Sequence, residues 1–141
     1  MSGFFQQQLS IGTAGRELRD VTGEIAGMVA AAGIHQGLCH VFLRHTSASL
    51  LISENADPDV LRDLETFFSG LVPDGDARYR HRAEGPDDMA AHVRCALTQT
   101  ELTIPVIDGS LALGTWQGIY LWEHRYRPHV RQLVISISGS A

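Results

Sequence analysis

Leu102-Thr103-Ile104-Pro105-Val106-Ile107-Asp108-Gly109-Ser110-Leu111 decides the fold class. Asp-Gly between two apolar runs is the residue pair that a type I′ turn demands, because both central positions need positive φ. Leu102 to Ile107 and Ser110 to Leu113 therefore read as an antiparallel hairpin. The chain stays extended beyond it, through Trp116 to Trp122 and again from Gln132 to Ile137. Along Trp116–Trp122, Tyr120 and Trp122 share one strand face while Ile119 and Leu121 share the other. Large side chains on both faces predict a sheet covered twice, by a helix layer on one side and another subunit on the other.

Upstream of the hairpin the period changes. Gln6 to Ile11, Leu38 to Leu43 and Ser47 to Ile52 read as strands. Thr22 to Ala32 reads as a helix with Thr22 as N-cap, Ile25, Met28 and Val29 inward, and Gly33 just past its end. A second helix starts at Asp57-Pro58, with Asp57 as cap and Leu61, Leu64, Phe67, Phe68 and Leu71 at helical spacing. Pro86 suits the first position of a third helix running to about Thr98, with Asp87 and Asp88 in its first turn. Met89, Val93 and Leu97 form its apolar stripe. The expectation is one α+β domain over residues 1–141, mainly antiparallel sheet with about three helices.

Composition narrows the function classes. The chain has 141 residues, 44% apolar and 19% charged, enough for a real core. The formal charge of -5 disfavours nucleic acid and anionic membranes as partners. All eleven basic residues are arginine, which excludes lysine Schiff-base and general-base chemistry. Cys39 and Cys95 belong to no C-x-x-C motif and read as free thiols in a reducing compartment. No signal peptide or membrane-spanning run is visible, so the expected location is the cytoplasm.

The chemistry concentrates in a few blocks. Asp88 and His92 lie one helical turn apart on the third helix, and His81 stands upstream of the Gly85-Pro86 break. A carboxylate beside an imidazole fixes its tautomer, which serves a metal ligand or a general base. His45, in Arg44-His45-Thr46-Ser47, joins His81 and His92 as a candidate three-histidine set with an open position, the pattern of catalytic zinc. Thr46 and Ser47 are candidate substrate binders, or backbone partners at a bend. Glu54 and Asn55 sit at a strand end; Glu54 is the candidate general acid/base beside Asp88 and His45. Arg80 answers a negative charge on the substrate, with Arg82 as its alternate. Trp116 would wall a pocket and Gln117 would position substrate. Glu123-His124-Arg125 with Arg127, His129 and Arg131 forms a second charged cluster, able to bind an anion, complete a subunit contact or lie on a surface loop.

These blocks together resemble the YjbQ-like family, associated with secondary thiamine-phosphate synthase activity. The resemblance is carried by Arg44-His45-Thr46-Ser47-Ala48, Ser53-Glu54-Asn55-Ala56, Tyr79-Arg80-His81, Glu84-Gly85-Pro86-Asp87-Asp88-Met89 with His92, and Leu113-Gly114-Thr115-Trp116-Gln117-Gly118-Ile119. It implies a homotrimer with pockets near subunit contacts, and one site gathering His45, Thr46, Glu54, Asn55, His81, Asp88, His92 and Gln117. It also implies that the histidines hold a divalent metal ion, for which zinc is the expected choice. Two function classes follow: a metal-dependent enzyme acting on a small phosphorylated metabolite, or a non-catalytic module binding a metabolite or RNA.

Overall fold

The computed structural model describes residues 2–141. Its backbone follows the alternation that the sequence displays. Leu133, Ile135 and Ile137 point inward from β8 (His129–Ser140), which lies between β1 (Ser2–Thr13) and β3 (Gln36–Leu43). β5 (Glu101–Ile107) and β6 (Ser110–Leu111) extend that sheet in the order β1-β8-β3-β5-β6. A second sheet has the order β2-β7-β4, with β2 at Glu17–Asp20, β4 at Ala48–Glu54 and β7 at Gln117–Glu123. All these strand pairs are antiparallel. Asp108 and Gly109 take φ of 51° and 76°, as the expected turn requires, and set the register Ile107↔Ser110.

The two sheets enclose one apolar layer. Cys39, Val41 and Leu43 meet Ala48, Leu50, Ile119 and Leu121 there, with Leu133, Ile135 and Ile137. Val21, Ile25 and Val29 bring α1 (Thr22–Ala32) into the same layer. Thr22 is not the N-cap that its position suggests: the helix begins at Thr22, whose Oγ1 accepts the Ile119 N–H at 2.8 Å. Asp20 Oδ1 accepts the Thr22 N–H instead, at 2.9 Å.

Helices α2 (Pro58–Leu71) and α3 (Pro86–Leu97) lie on the far side of the smaller sheet. Trp122 packs edge-on against Phe68, 4.8 Å between ring centres, and Arg94 places its guanidinium 5.9 Å over the same indole. The double covering expected for the Trp122 strand is therefore met within one chain, by a sheet and two helices. On α2, Phe67 turns outward, since it cannot share a face with its neighbour Phe68, and Leu71, the last residue of the helix, is exposed as well. On α3 the buried face is Asp87, Asp88, Ala90, Ala91 and Arg94, so the expected stripe is displaced and Leu97 is exposed. Burying carboxylates and a guanidinium on an inward face needs compensating partners, and those partners form the site.

Candidate metal centre

α3 starts where it does because of Gly85 and Pro86. Gly85 takes φ of 99°, a conformation that side chains other than glycine's rarely adopt, and Pro86 occupies the first helical turn without needing an N–H. This start places Asp88 inward at 2% exposure and brings the loop carrying His81 and Glu84 back across it. His81 Nε2 lies 2.6 Å from Asp88 Oδ2, and His92 Nε2 lies 3.1 Å from the same oxygen. Glu84 approaches His81 Nε2 at 3.4 Å. One donor atom from each of His81, Glu84, Asp88 and His92 falls within 4.8 Å of the other three.

The surroundings fix these groups. His92 Nδ1 meets the Thr46 carbonyl at 2.9 Å; an N–H must donate there, which leaves the Nε2 lone pair for the cluster. Arg125 Nη1 donates to Asp88 Oδ1 at 2.7 Å and its Nε donates to Asp87 Oδ2 at 3.0 Å. A third bond, from Nη2 to the Glu84 carbonyl at 2.9 Å, ties the loop to the same guanidinium. Asp88 thus gives one oxygen to Arg125 and keeps the other for the histidines. Hydrogen bonding to Asp88 raises the His81 pKa above its ordinary value. Burial pushes Asp88 up, but the His81 hydrogen bond and the nearby charges outweigh it and leave its pKa below the usual carboxylate range.

Two imidazole nitrogens and two carboxylates form a mixed nitrogen and oxygen donor set that fits a divalent ion such as zinc. Two of the four donors have outer partners, Thr46 for His92 and Arg125 for Asp88, as metal ligands usually do.

His45 does not belong to the cluster. Its Nε2 accepts the Gln132 N–H at 2.8 Å, and its Nδ1 faces Arg131 Nη1 at 3.4 Å. Burial first, and then the Arg131 charge, lowers its pKa. The lone pair that a metal or a general base would need is already engaged, and Glu84 completes the donor set instead. Ser47 is engaged too, its Oγ accepting from Arg131 Nη2 at 3.0 Å, while Thr46 contributes its carbonyl.

Glu54, Asn55, Trp116 and Gln117 come together, but elsewhere. The β4–β7 register runs from Ala48↔Glu123, beside α3, to Glu54↔Gln117 at the far end. That is roughly 20 Å along the strand at the usual rise per residue. Trp116 does wall a cavity, of about 450 Å³ with Glu54, Ala56, Asp57 and Pro58, but in one chain it is separate from the histidine cluster. Glu54 Oε2 accepts the Asp57 N–H at 3.1 Å, Asn55 Nδ2 bonds the Thr115 and Gln117 carbonyls, and Gln117 Oε1 accepts the Gly114 N–H.

Cavities border the cluster itself. One, of about 350 Å³, is lined by His81 with Tyr79, Arg82, Gly85 and Pro86. Arg82, not Arg80, reaches this wall, and it also donates to the Tyr79 and Ala77 carbonyls. Arg78 pairs with Asp76, and Arg131 with the buried Glu123. Those pairings offset two of the arginines in the basic stretches, while Arg80 and Arg127 stay exposed. Glu84, Asp87 and Arg125 figure in the sequence reading without a place in the metal site. Adjacent aspartates at a helix start, needing a cation, were the available signal for Arg125.

Two antiparallel sheets, three helices and a histidine–carboxylate cluster at the start of the third define a small α+β protein with a candidate divalent-metal centre. Residues 7–140 match the family described as UPF0047 protein YjbQ-like, and the chain belongs to that family. UPF0047 protein sll1880 of Synechocystis is 55% identical over 134 residues, covering 95% of this chain and 91% of that protein. YjbQ of Escherichia coli O157:H7 is 40% identical, covering 96% and 99%. Among solved structures, a YbjQ-like protein of unknown function from Sulfolobus solfataricus superimposes with a TM-score of 0.89 at 25% identity, covering 99% of this chain and all of that one. A yjbq/upf0047 family protein from Clostridium acetobutylicum gives 0.85 at 34% identity, covering 93% and 98%. Both cysteines are free, and among the described residues no helix is long and apolar enough to cross a membrane.

Proposed function

We propose that this chain is a divalent-metal enzyme acting on a small phosphorylated metabolite, with His81, Glu84, Asp88 and His92 holding the ion. The observation that carries the reading is the convergence of those four donor atoms within 4.8 Å of one another. Zinc suits the donor set, and such an ion supplies Lewis acidity toward a phosphoryl oxygen. The protein's own groups do the rest. The Thr46 carbonyl holds His92 in one tautomer, and Arg125 holds Asp88 against rotation. Glu84, exposed like His81, lies on the open side of the set. Tyr79 and Pro86 offer an apolar wall to the body of the metabolite. Condensation of a pyrimidine diphosphate with a thiazole phosphate belongs to this substrate class.

The same reading includes a homotrimer. Phe4–Ser138–Leu38, Gln6–Ser136–His40 and Gln8–Val134–Phe42 run as rows across one face of the larger sheet. Phe4, Leu38 and Phe42 are exposed there, and Glu101 is the one charged residue that β5 adds to these rows. A sheet face with exposed aromatics and few charges suits contact with another copy. Assembly would offer Glu54, Asn55 and Gln117 of one copy a route to a neighbour's metal centre. Sedimentation at micromolar concentration tests this part, and a monomer ends it.

Catalysis is tested by assaying phosphorylated small molecules, the pyrimidine and thiazole pair included, with and without added zinc. Zinc-dependent turnover that Asp88→Asn abolishes supports the enzyme. Metal-loaded protein that binds a metabolite without turning it over returns the chain to the ligand-binding class.

A further inference from the structure

Beside the metal centre lies a second groove, of about 460 Å³, lined by Ala83, Glu84, Gly85, Arg125, Arg127 and His129. It shares Gly85 with the Tyr79 cavity, and the cluster borders both, through His81 on one side and Glu84 on the other. The basic side chains of the groove are not equally occupied. Arg125 commits its Nε, one Nη1 bond and one Nη2 bond to Asp87, Asp88 and the Glu84 carbonyl, and so serves as a fixed wall. Arg127 is exposed, and among the described residues its guanidinium makes no ion pair or hydrogen bond. His129 bonds the Arg127 carbonyl through Nδ1 at 2.7 Å, which orients the ring and leaves Nε2 without a partner among the described residues.

We propose that this groove is the subsite for the anionic, phosphoryl end of the ligand, with Arg127 as its principal contact. The ligand would span the cluster, its body against Tyr79 and Pro86 and its charged group against Arg127, His129 and the free edge of Arg125. An unpaired planar guanidinium next to a fixed one is a fork that matches phosphate oxygens. The inference rests on the metal-enzyme reading for its account of the neighbouring cluster, and it assigns the negative charge to Arg127 in place of Arg80.

The test uses inorganic phosphate as the probe, titrated calorimetrically into zinc-loaded and zinc-free protein, with zinc content measured on every sample. Arg127→Gln is compared with Arg62→Gln, which removes the same charge from an exposed pair on α2. Saturable phosphate binding is expected, weakened about tenfold or more by Arg127→Gln and little changed by Arg62→Gln. Zinc content should be alike in all three proteins. Zinc-loaded protein that binds no phosphate, or variants that bind it equally well, overturns the subsite while leaving the metal centre standing. Binding that depends on Arg127 in a protein that takes up no zinc keeps the subsite and removes the metal reading.

Discussion

His81 and Asp88, on opposite sides of the Gly85-Pro86 break, meet at 2.6 Å between Nε2 and Oδ2. Asp88 Oδ2 also faces His92 Nε2 at 3.1 Å. Lone pairs from two imidazoles and a carboxylate cannot converge on one point unless a cation or a proton sits between them. A divalent ion satisfies all of them at once. Without it, a proton on His81 does part of the work.

This relationship has a pH signature. The His81 pKa is raised above its ordinary value of 6.5, chiefly by the hydrogen bond to Asp88. Its ion pair therefore stabilises metal-free protein fully below pH 6.5, and that contribution is lost as pH rises through the raised value. Asp88 is depressed below 3.8, so its share is present above that pH and lost as pH falls through the depressed value. NMR titration of metal-free protein should place the His81 midpoint above 6.5, and zinc should abolish the titration. A midpoint at or below the ordinary value would contradict the contact.

Arg125 is the outer support of the centre. Arg125→Met strips Asp87 and Asp88 of their shared cation, leaving Asp88 to the histidines and Asp87 to the Tyr126 N–H. The expected loss is on the order of 3–5 kcal/mol of stability in urea denaturation. Zinc affinity, measured by chelator competition, should fall about 10–100-fold. Arg125→Lys keeps the charge but not the fork and should recover part of both. Wild-type zinc affinity in a folded Arg125→Met protein would show that Asp88 needs no such support.

His124 sets the acid limit of the fold. It is fully buried, with Nε2 2.9 Å from Ser49 Oγ and no partner for Nδ1. Burial, reinforced by nearby arginines, pushes its pKa down to about 3. Below pH 6.5 the unfolded chain takes up a proton that the folded chain refuses, so stability falls between 6.5 and about 3. The slope from this one group approaches about 1.4 kcal/mol per pH unit. His124→Gln should flatten the profile in that window. A variant profile parallel to wild type would place the acid sensitivity elsewhere.

Local chemistry made much of this molecule readable in advance. Asp108-Gly109 specified its hairpin, Asp57 caps α2 as expected, with its Oδ1 2.9 Å from the Asp59 N–H, and Pro86 marks the start of α3. His81, Asp88 and His92 were legible because the helix repeat joins the last two and the break allows the first to fold back. β2 was not: Glu-Leu-Arg-Asp is a short, charged edge strand without periodicity, formed by pairing with β7. The surroundings of His45, Glu84, Arg125 and Arg131 were not legible, because register and tertiary packing decide what they face. Arg131 lies two residues before Leu133 on β8, so strand alternation turns it inward, where Glu123 receives it. Charge alone left an anion site, a subunit contact and a surface loop open.

The central claim is that His81, Glu84, Asp88 and His92 hold one divalent ion and His45 does not. Its most direct test is the zinc content of tag-free protein by elemental mass spectrometry, for wild type and for His81→Ala, Glu84→Ala, Asp88→Asn, His92→Ala and His45→Ala. The account predicts near-stoichiometric metal in wild type and His45→Ala, loss in folded His81→Ala, Asp88→Asn and His92→Ala, and weaker retention in Glu84→Ala. Wild type that takes up no metal after reconstitution, or a folded His45→Ala protein as empty as His92→Ala, would contradict it.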